Sequence, residues 1–522
     1  MKLGLSFSIM ALTAGGALAQ DLPQASNQWF VDAQTTLEAL LSQEENTNRA
    51  KNVILLVADG NGVASNYATR IFSGQQEGGL GDDYVQPHEA FPNLALIKTY
   101  TTNGQTPDSA PTAATFNSGI KARNDVINVT DAISVGDCAA GAEDEVTLLS
   151  EIAAEAGKSV GIVSTARLTH ATPAAVYGRT VDRDFEDDTL VPEDCGQTDL
   201  AAQMAAQVDA GVIDLAMGGG RQHFLPSDVT DAEGESGSRG DGRNLAEEMT
   251  GETGVYVQTQ EEFDAIDTAS VEGPVIGLFE SSHMQYEADR SGEPSLAEMA
   301  AAAIEVLSRN EDGFYLMIEA GRVDHANHAG NLARTVRDGR AFAEAIAMAD
   351  EMTDDADTLI VVTADHDHGL QFNGYCGRGS DITGLCMEVD PAGIEHTGTP
   401  NVASDGLPYT VAGYMNGAGS VLIEQIEDET AAADTSQTTT PDVGAAEGET
   451  QPVYSGSRPD VTPEEASDID YLQQALIPMP SETHSGTDVA LYAKGPWAHL
   501  FNGTLEQNVI FHVMNYAMNA GD

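Results

Sequence analysis

Four continuous apolar runs constrain this chain most: Val53-Ile54-Leu55-Leu56-Val57, Val160-Gly161-Ile162-Val163, Phe314-Tyr315-Leu316-Met317-Ile318 and Leu359-Ile360-Val361-Val362. A strand with one wet face alternates apolar and polar residues, whereas a run without polar interruption needs cover on both faces. That cover is at hand, because segments of helical period precede three of the runs, at Thr147 to Ala156, Ser295 to Ser308 and Ala341 to Ala349. Strands alternating with helices predict an α/β fold, a large and mostly parallel central sheet flanked by helices on both faces. A helix is also expected from Trp29 to Ser42, packed on the main body or on a partner subunit. A last strand is expected at Val489 to Ala493, and a closing helix from Leu505 to Met518.

Between about Phe372 and Ser481 the alternation stops, and Gly, Thr, Pro and acidic residues take over. Residues 421 to 470 carry a single basic residue, Arg458. The segment reads as an acidic, loop-rich surface insertion at 372–481 within one domain spanning residues 20–522. Ahead of that domain, Lys2, the apolar stretch Leu3 to Leu12 and the small-residue ending Ala17-Leu18-Ala19 read as an export signal over residues 1–19. The protein is therefore expected in the periplasm or outside the cell, with no membrane anchor. Export favours pairing of the four cysteines, and proximity favours Cys138 with Cys195 and Cys376 with Cys386.

With 83 acidic against 23 basic residues the formal charge is -60. Binding to a nucleic acid backbone needs a basic surface, so that class of partner is excluded. Dense carboxylates suit a halophilic or marine setting, where salt screens their mutual repulsion.

Ligands of α/β sheets collect beyond the carboxyl ends of the strands, which directs attention to Asp59, Glu319 and Asp365. Asp59 follows the first apolar run and opens Asp59-Gly60-Asn61-Gly62. Alone, that run is equally an ordinary strand-to-loop turn. Asp324 and His328 lie four residues apart in Asp324-His325-Ala326-Asn327-His328 and would share a helix face, offering two ligands of the zinc type. Two surface histidines would look the same. In Asp365-His366-Asp367-His368, directly after a strand, Asp365 and His366 are the better ligands and His368 the bystander. His484, just ahead of the last strand, is preferred to His396, which sits inside the insertion. Ser109 opens a run of small residues with Asp108 as its cap, where helical N–H groups can face an anion. As a fragment it is no more than an Asp-Ser cap. Together the fragments suit two close metal ions, one activating the Ser109 hydroxyl and one stabilising a leaving oxygen, with Arg183 clamping phosphate.

In this order, and over nearly the whole chain, the motifs resemble the alkaline phosphatase family. The motifs are Asp59-Gly60-Asn61-Gly62, Pro107-Asp108-Ser109-Ala110, Ser164-Thr165-Ala166 with His170-Ala171-Thr172-Pro173-Ala174-Ala175, Asp324 to Asn327 with His328, Ala364-Asp365-His366, and Thr483-His484-Ser485-Gly486. The resemblance implies hydrolysis of phosphate monoesters to inorganic phosphate through a phosphoserine at Ser109. It implies two zinc ions, one held by Asp324, His328 and His484, the other by Asp59, Asp365 and His366. A magnesium ion would be held by Asp59, Thr172 and Glu319. Arg183 would bind phosphate and Asp108 would orient it. His170 and His325 would be neighbours of these sites and not direct ligands. Calcium is a further ion that the resemblance suggests at Phe279-Glu280 and His283 to Glu287, where a solvated loop is the plainer reading. The insertion would be the family's crown, and a homodimer is expected.

Two other readings remain. A phosphodiesterase of the same superfamily shares the two-metal frame, but the Asp59, Thr172 and Glu319 set with Arg183 favours a dianionic terminal phosphate. A non-catalytic acidic protein binding divalent ions would need neither Ser109 nor clustered histidines.

Overall fold

The structure, a computed structural model, describes residues 22–141, 146–231, 233–425 and 453–520. The export signal expected at residues 1–19 lies outside the described residues. Two compact units are present, divided between Glu45 and Asn46. In the first, Asn27 caps a helix over Gln28–Leu41 by accepting from the Trp29 N–H at 3.0 Å, and none of the helix residues is buried.

The second unit is built on strands β1 (Asn52–Ala58), β2 (Asn93–Lys98), β3 (Ser159–Arg167), β4 (Leu215–Gly219), β5 (Val255–Val257), β6 (Val275–Leu278), β7 (Phe314–Ala320) and β8 (Thr358–Thr363). Short strands follow: β9 (Asp367–His368), β10 (Leu370–Phe372), β11 (Ala412–Gly417), β12 (Ile423–Gln425), β13 (Val453–Ser455), β14 (Ala475–Pro478) and β15 (His484–Ser485). The chain then adds β16 (Val489–Lys494) and β17 (Gly503–Glu506).

Ten of these form one sheet in the order β17-β2-β16-β8-β1-β7-β3-β4-β6-β5. β16 alone in it runs antiparallel, between β2 and β8. The apolar run of β1 explains the architecture. Val53, Leu55 and Val57 point into one core, which includes Ala113, Phe116, Leu149, Met204 and Ile510 from helices on that side. Ile54, Leu56 and Ala58 point into the other, with Met299, Ile304, Phe342 and Ile346. Each fully buried Val, Leu or Ile contributes roughly 1.5–3 kcal/mol by leaving water. A polar residue anywhere from Val53 to Val57 would forfeit that on one face or the other.

Both expected disulfides are formed, Cys138–Cys195 and Cys376–Cys386. Within 372–481 the described residues are not all loop: β10, β11 and β14 make a three-stranded sheet, and β12 pairs with β13. Among the described residues no helix is long and apolar enough to cross a membrane. The closing helix is shorter than expected, over Val509–Asn519. Leu505 belongs instead to β17, because pairing beside β2 (Leu505 against Ile97) satisfies its backbone on the sheet edge.

Candidate active site

Three neighbouring strands deliver the centre of the site. β1 lies between β8 and β7, all parallel, so Asp59, Glu319 and Asp365 emerge side by side at their carboxyl ends. β3 adds Ser164 directly beside Glu319 in the register, and the Ser164 hydroxyl donates to the Glu319 carboxylate. The turn after β1 depends on Gly60, whose φ is 67° and whose N–H donates to Asp365 Oδ1 at 3.0 Å. A β-carbon at Gly60 would overlap His368 Nε2 and come within 3.1 Å of Asp324 Oδ1. The change Gly60→Ala is therefore expected to cost about 1–3 kcal/mol of stability, measured by denaturant unfolding, and to lower kcat/KM by displacing His368. Unchanged stability would show that the turn tolerates a side chain.

Ser109 is the first residue of the buried helix Ser109–Ser118. Asp108 caps that helix, accepting from the Ala110 N–H at 2.7 Å. The same carboxylate accepts from Arg183 Nη1 at 3.1 Å and from the Asp125 N–H at 2.6 Å. Arg183 is thus held by the helix that carries Ser109, while its Nη2 donates to His170 Nε2 at 2.9 Å. The Ser109 hydroxyl lies 3.3 and 3.4 Å from the two Asp59 oxygens and 3.1 Å from His366 Nε2. His366 Nε2 is in turn 3.3 Å from Asp59 Oδ1 and 3.4 Å from Asp365 Oδ2.

On the other side of Ser109, the helix Arg322–His328 presents Asp324 and His328 on one face. β15 pairs with β9, His484 opposite His368, and this brings the chain back from the insertion with His484 facing that helix. His328 Nδ1 donates to the Glu482 carbonyl at 2.6 Å, and His484 Nδ1 donates to the Pro107 carbonyl at 2.9 Å. A carbonyl can only accept, so each Nδ1 carries the proton and each Nε2 is a bare lone pair. The two Nε2 atoms face each other at 3.0 Å and lie 3.5 and 3.4 Å from Asp324 Oδ1. No hydrogen can join three converging acceptors. A divalent cation can, and two imidazoles with a carboxylate are a donor set for one.

The remaining electrostatics argue the same way. Burial, then the Asp324 and Glu319 charges, hold Asp59 well above the usual carboxylate range. Burial and Asp59 push Asp365 up to about 6. Burial pushes Glu319 up to about 8 against the Ser164 hydrogen bond, with the Asp365 charge adding to the rise. At Asp324 burial opposes ionisation, but His328, His368 and His484 outweigh it and hold the group well below its ordinary value. So many carboxylates converging away from water are repelled toward protonation unless divalent cations sit among them. The groups Asp59, Asp365 and His366, and Asp59, Glu319 and His170, each bring their ligand atoms within 4.8 Å of one another. Thr172 adjoins Glu319.

Asp59, Asp108, Ser109, Thr172, Arg183, Glu319, Asp324, His328, Asp365, His366 and His484 lie together at these strand ends, whereas His396 lies in the insertion beside Gly377 and Arg378. His368 is not a bystander: Nε2 contacts Asp324 Oδ1 at 2.7 Å and Nδ1 contacts Glu482. Burial favours the neutral ring, but the two carboxylates outweigh it and raise His368 to about 10. Its signal was the pairing of acids and histidines in 365–368. Glu482 had none beyond its nearness to His484. The segment after Phe279 is a partly solvated loop, with Ser282, Ala288 and Asp289 exposed, Met284 buried and His283 packed beside His325 with ring centroids 4.1 Å apart.

The family model for alkaline phosphatase matches residues 50–520. The chain belongs to the alkaline phosphatase family. It is 38% identical over 514 residues to the alkaline phosphatase of Gadus morhua, covering 96% of this chain and 98% of that one. To the human tissue-nonspecific isozyme of alkaline phosphatase it is 36% identical over 509 residues, covering 94% and 88%. Among solved structures, alkaline phosphatase from the Antarctic bacterium TAB5 superposes with a TM-score of 0.59 at 22% identity, over 91% of this chain and 100% of that one. The Thermus thermophilus alkaline phosphatase gives 0.59 at 22% identity, over 93% and 94%. These two show the shared fold. Another TAB5 structure is described with Mg bound in its M3 site. The chain is thus a hydrolase of the alkaline phosphatase family.

Proposed function

We propose that this hydrolase cleaves phosphate monoesters through a phosphoseryl intermediate on Ser109. The observation that supports it most is the Ser109 hydroxyl itself, within 3.4 Å of Asp59 and His366 at a helix N-terminus whose cap also holds Arg183. Asp324, His328 and His484 would hold one zinc, Asp59, Asp365 and His366 a second, and Asp59, Thr172 and Glu319 a magnesium. When bound, the ions would lower the pKa of the Ser109 hydroxyl and of water and offset charge on the leaving oxygen.

The Ser109 oxygen forms its bond to phosphorus as the ester oxygen departs with its alcohol. Water then attacks the phosphoserine, the Ser109–phosphorus bond breaks, and inorganic phosphate leaves. Arg183, fixed by Asp108, presents its guanidinium to the nonbridging oxygens through both steps. The Asp108 and Asp59 charges outweigh burial and raise Arg183 further, so it stays cationic. Desolvated beside the Arg183 charge, the half-buried His170 is held neutral and accepts from it.

A guanidinium held this way favours a dianionic terminal phosphate over a monoanionic diester. Arg183→Ala is expected to lower kcat/KM for p-nitrophenyl phosphate about 10²–10³-fold, and to lower it far less for bis(p-nitrophenyl) phosphate. Wild-type turnover of the diester matching that of the monoester would favour the phosphodiesterase reading.

A further inference from the structure

His283 lies outside the zinc and magnesium ligand sets proposed above, and it completes a triangle of half-buried imidazoles. Its ring centroid is 4.1 Å from that of His325 and 5.3 Å from that of His170, and the latter two are 5.5 Å apart. His170 is the residue on which Arg183 Nη2 rests. His325 accepts at Nδ1 from Arg322 Nη1 at 3.1 Å, so its proton is on Nε2, a hydrogen-bond donor on a ring that neighbours the His170 on which Arg183 rests. One hydrogen bond leaves an imidazole free to swing about its χ2 bond. A second ring packed 4.1 Å away stops that rotation.

His283 is itself anchored from behind. Arg167, the last residue of β3, sends Nε and Nη2 to the Glu186 carboxylate at 2.8 and 2.7 Å, and Nη1 faces His283 Nε2. Glu186 is held in turn by the Thr169 hydroxyl at 2.6 Å. The Arg167 backbone N–H also lies 3.2 Å from His283 Nδ1. A neutral imidazole cannot accept at both nitrogens, and the charged guanidinium contact is the stronger, so Nε2 carries the lone pair. Burial, with His325 and Arg167 next to it, keeps this ring neutral.

We propose that His283 is a positioning residue, tying the Arg167–Glu186 pair to His325 and His170 and so fixing the donor wall beside Arg183 that binds phosphate. This rests on the phosphomonoesterase reading. The ring touches no reacting atom; its effect passes through His325. Loss of a fixed ground-state donor appears in KM and in product inhibition more than in kcat.

The test is a double-mutant cycle on the metal-loaded enzyme. His283→Ala is expected to raise KM for p-nitrophenyl phosphate and Ki for inorganic phosphate together, about five- to tenfold, with kcat within about twofold of wild type. In a His325→Ala background the same change should move Ki by less than about twofold. His283→Gln, which returns an acceptor to Arg167 but no ring against His325, should recover only part of the loss. If the alanine variant does not fold, His283→Phe keeps a ring against His325 but no acceptor for Arg167 and should show a smaller rise in the same two constants, about two- to threefold. Effects of the two substitutions that multiply independently would overturn the proposal. So would an unchanged Ki in a folded variant with wild-type metal content. Either failure leaves Ser109-dependent turnover intact, whereas failure of the phosphomonoesterase reading would appear in the wild type itself.

Discussion

Ser109→Ala is expected to reduce kcat for phosphate monoesters by at least about 10³-fold, because it removes the atom that forms the new bond to phosphorus. No neighbouring hydroxyl can replace it. The hydroxyl of Thr112, one helical turn along, is occupied by the Asp108 and Ser109 carbonyls at 3.0 Å and by Asp365 Oδ2 at 3.2 Å. Residual activity would come from direct attack of water on a phosphate still held by Arg183. Metal content should be unchanged, since Asp59, Asp365 and His366 keep their mutual arrangement without the hydroxyl. Acid quenching with a labelled monoester checks the claim: the wild type should carry label on Ser109 and the variant none. Labelled protein in the variant, or a kcat within tenfold of wild type, would falsify the assignment.

Much of this site could be read from the chain because its residues sit at places that local rules govern. Asp59 and Asp365 follow apolar runs too continuous to be anything but buried parallel strands, and Asp324 with His328 obeys helical spacing. Ser109 and Asp108 form a cap that depends on adjacent residues alone. What stayed hidden depends on pairing across long separations. His368 joins Asp324 only because β9 lies against β15, and the partner Glu482 comes from 114 residues away. His283 owes its place to Arg167, 116 residues earlier. Leu505 followed a helical period in the sequence but paired on a sheet edge, a choice that tertiary contact decides.

Metal removal is the second large effect, and its pH dependence carries a definite sign. Ions that bind the folded chain and not the unfolded one stabilise it by about 4 kcal/mol per site at a thousand times Kd. Stripping the three sites proposed above by dialysis against a chelator should therefore lower Tm by roughly 10 °C or more and abolish turnover, and zinc with magnesium should restore both. In the stripped protein the carboxylates remain buried together. Asp365 is raised to about 6 and Glu319 to about 8, both above their values in an unfolded chain. A group raised on folding stabilises the fold fully below its unfolded pKa, and that stabilisation disappears as pH rises through the folded pKa. The metal-free protein should accordingly lose Tm progressively between about pH 4 and 8. The loaded protein should not, since bound cations hold the same groups ionised throughout that range. Calorimetry of both forms across this range gives the comparison directly. A chelated protein as stable as the loaded one, or one whose Tm ignores pH, would mean that these carboxylates are relieved by something other than cations.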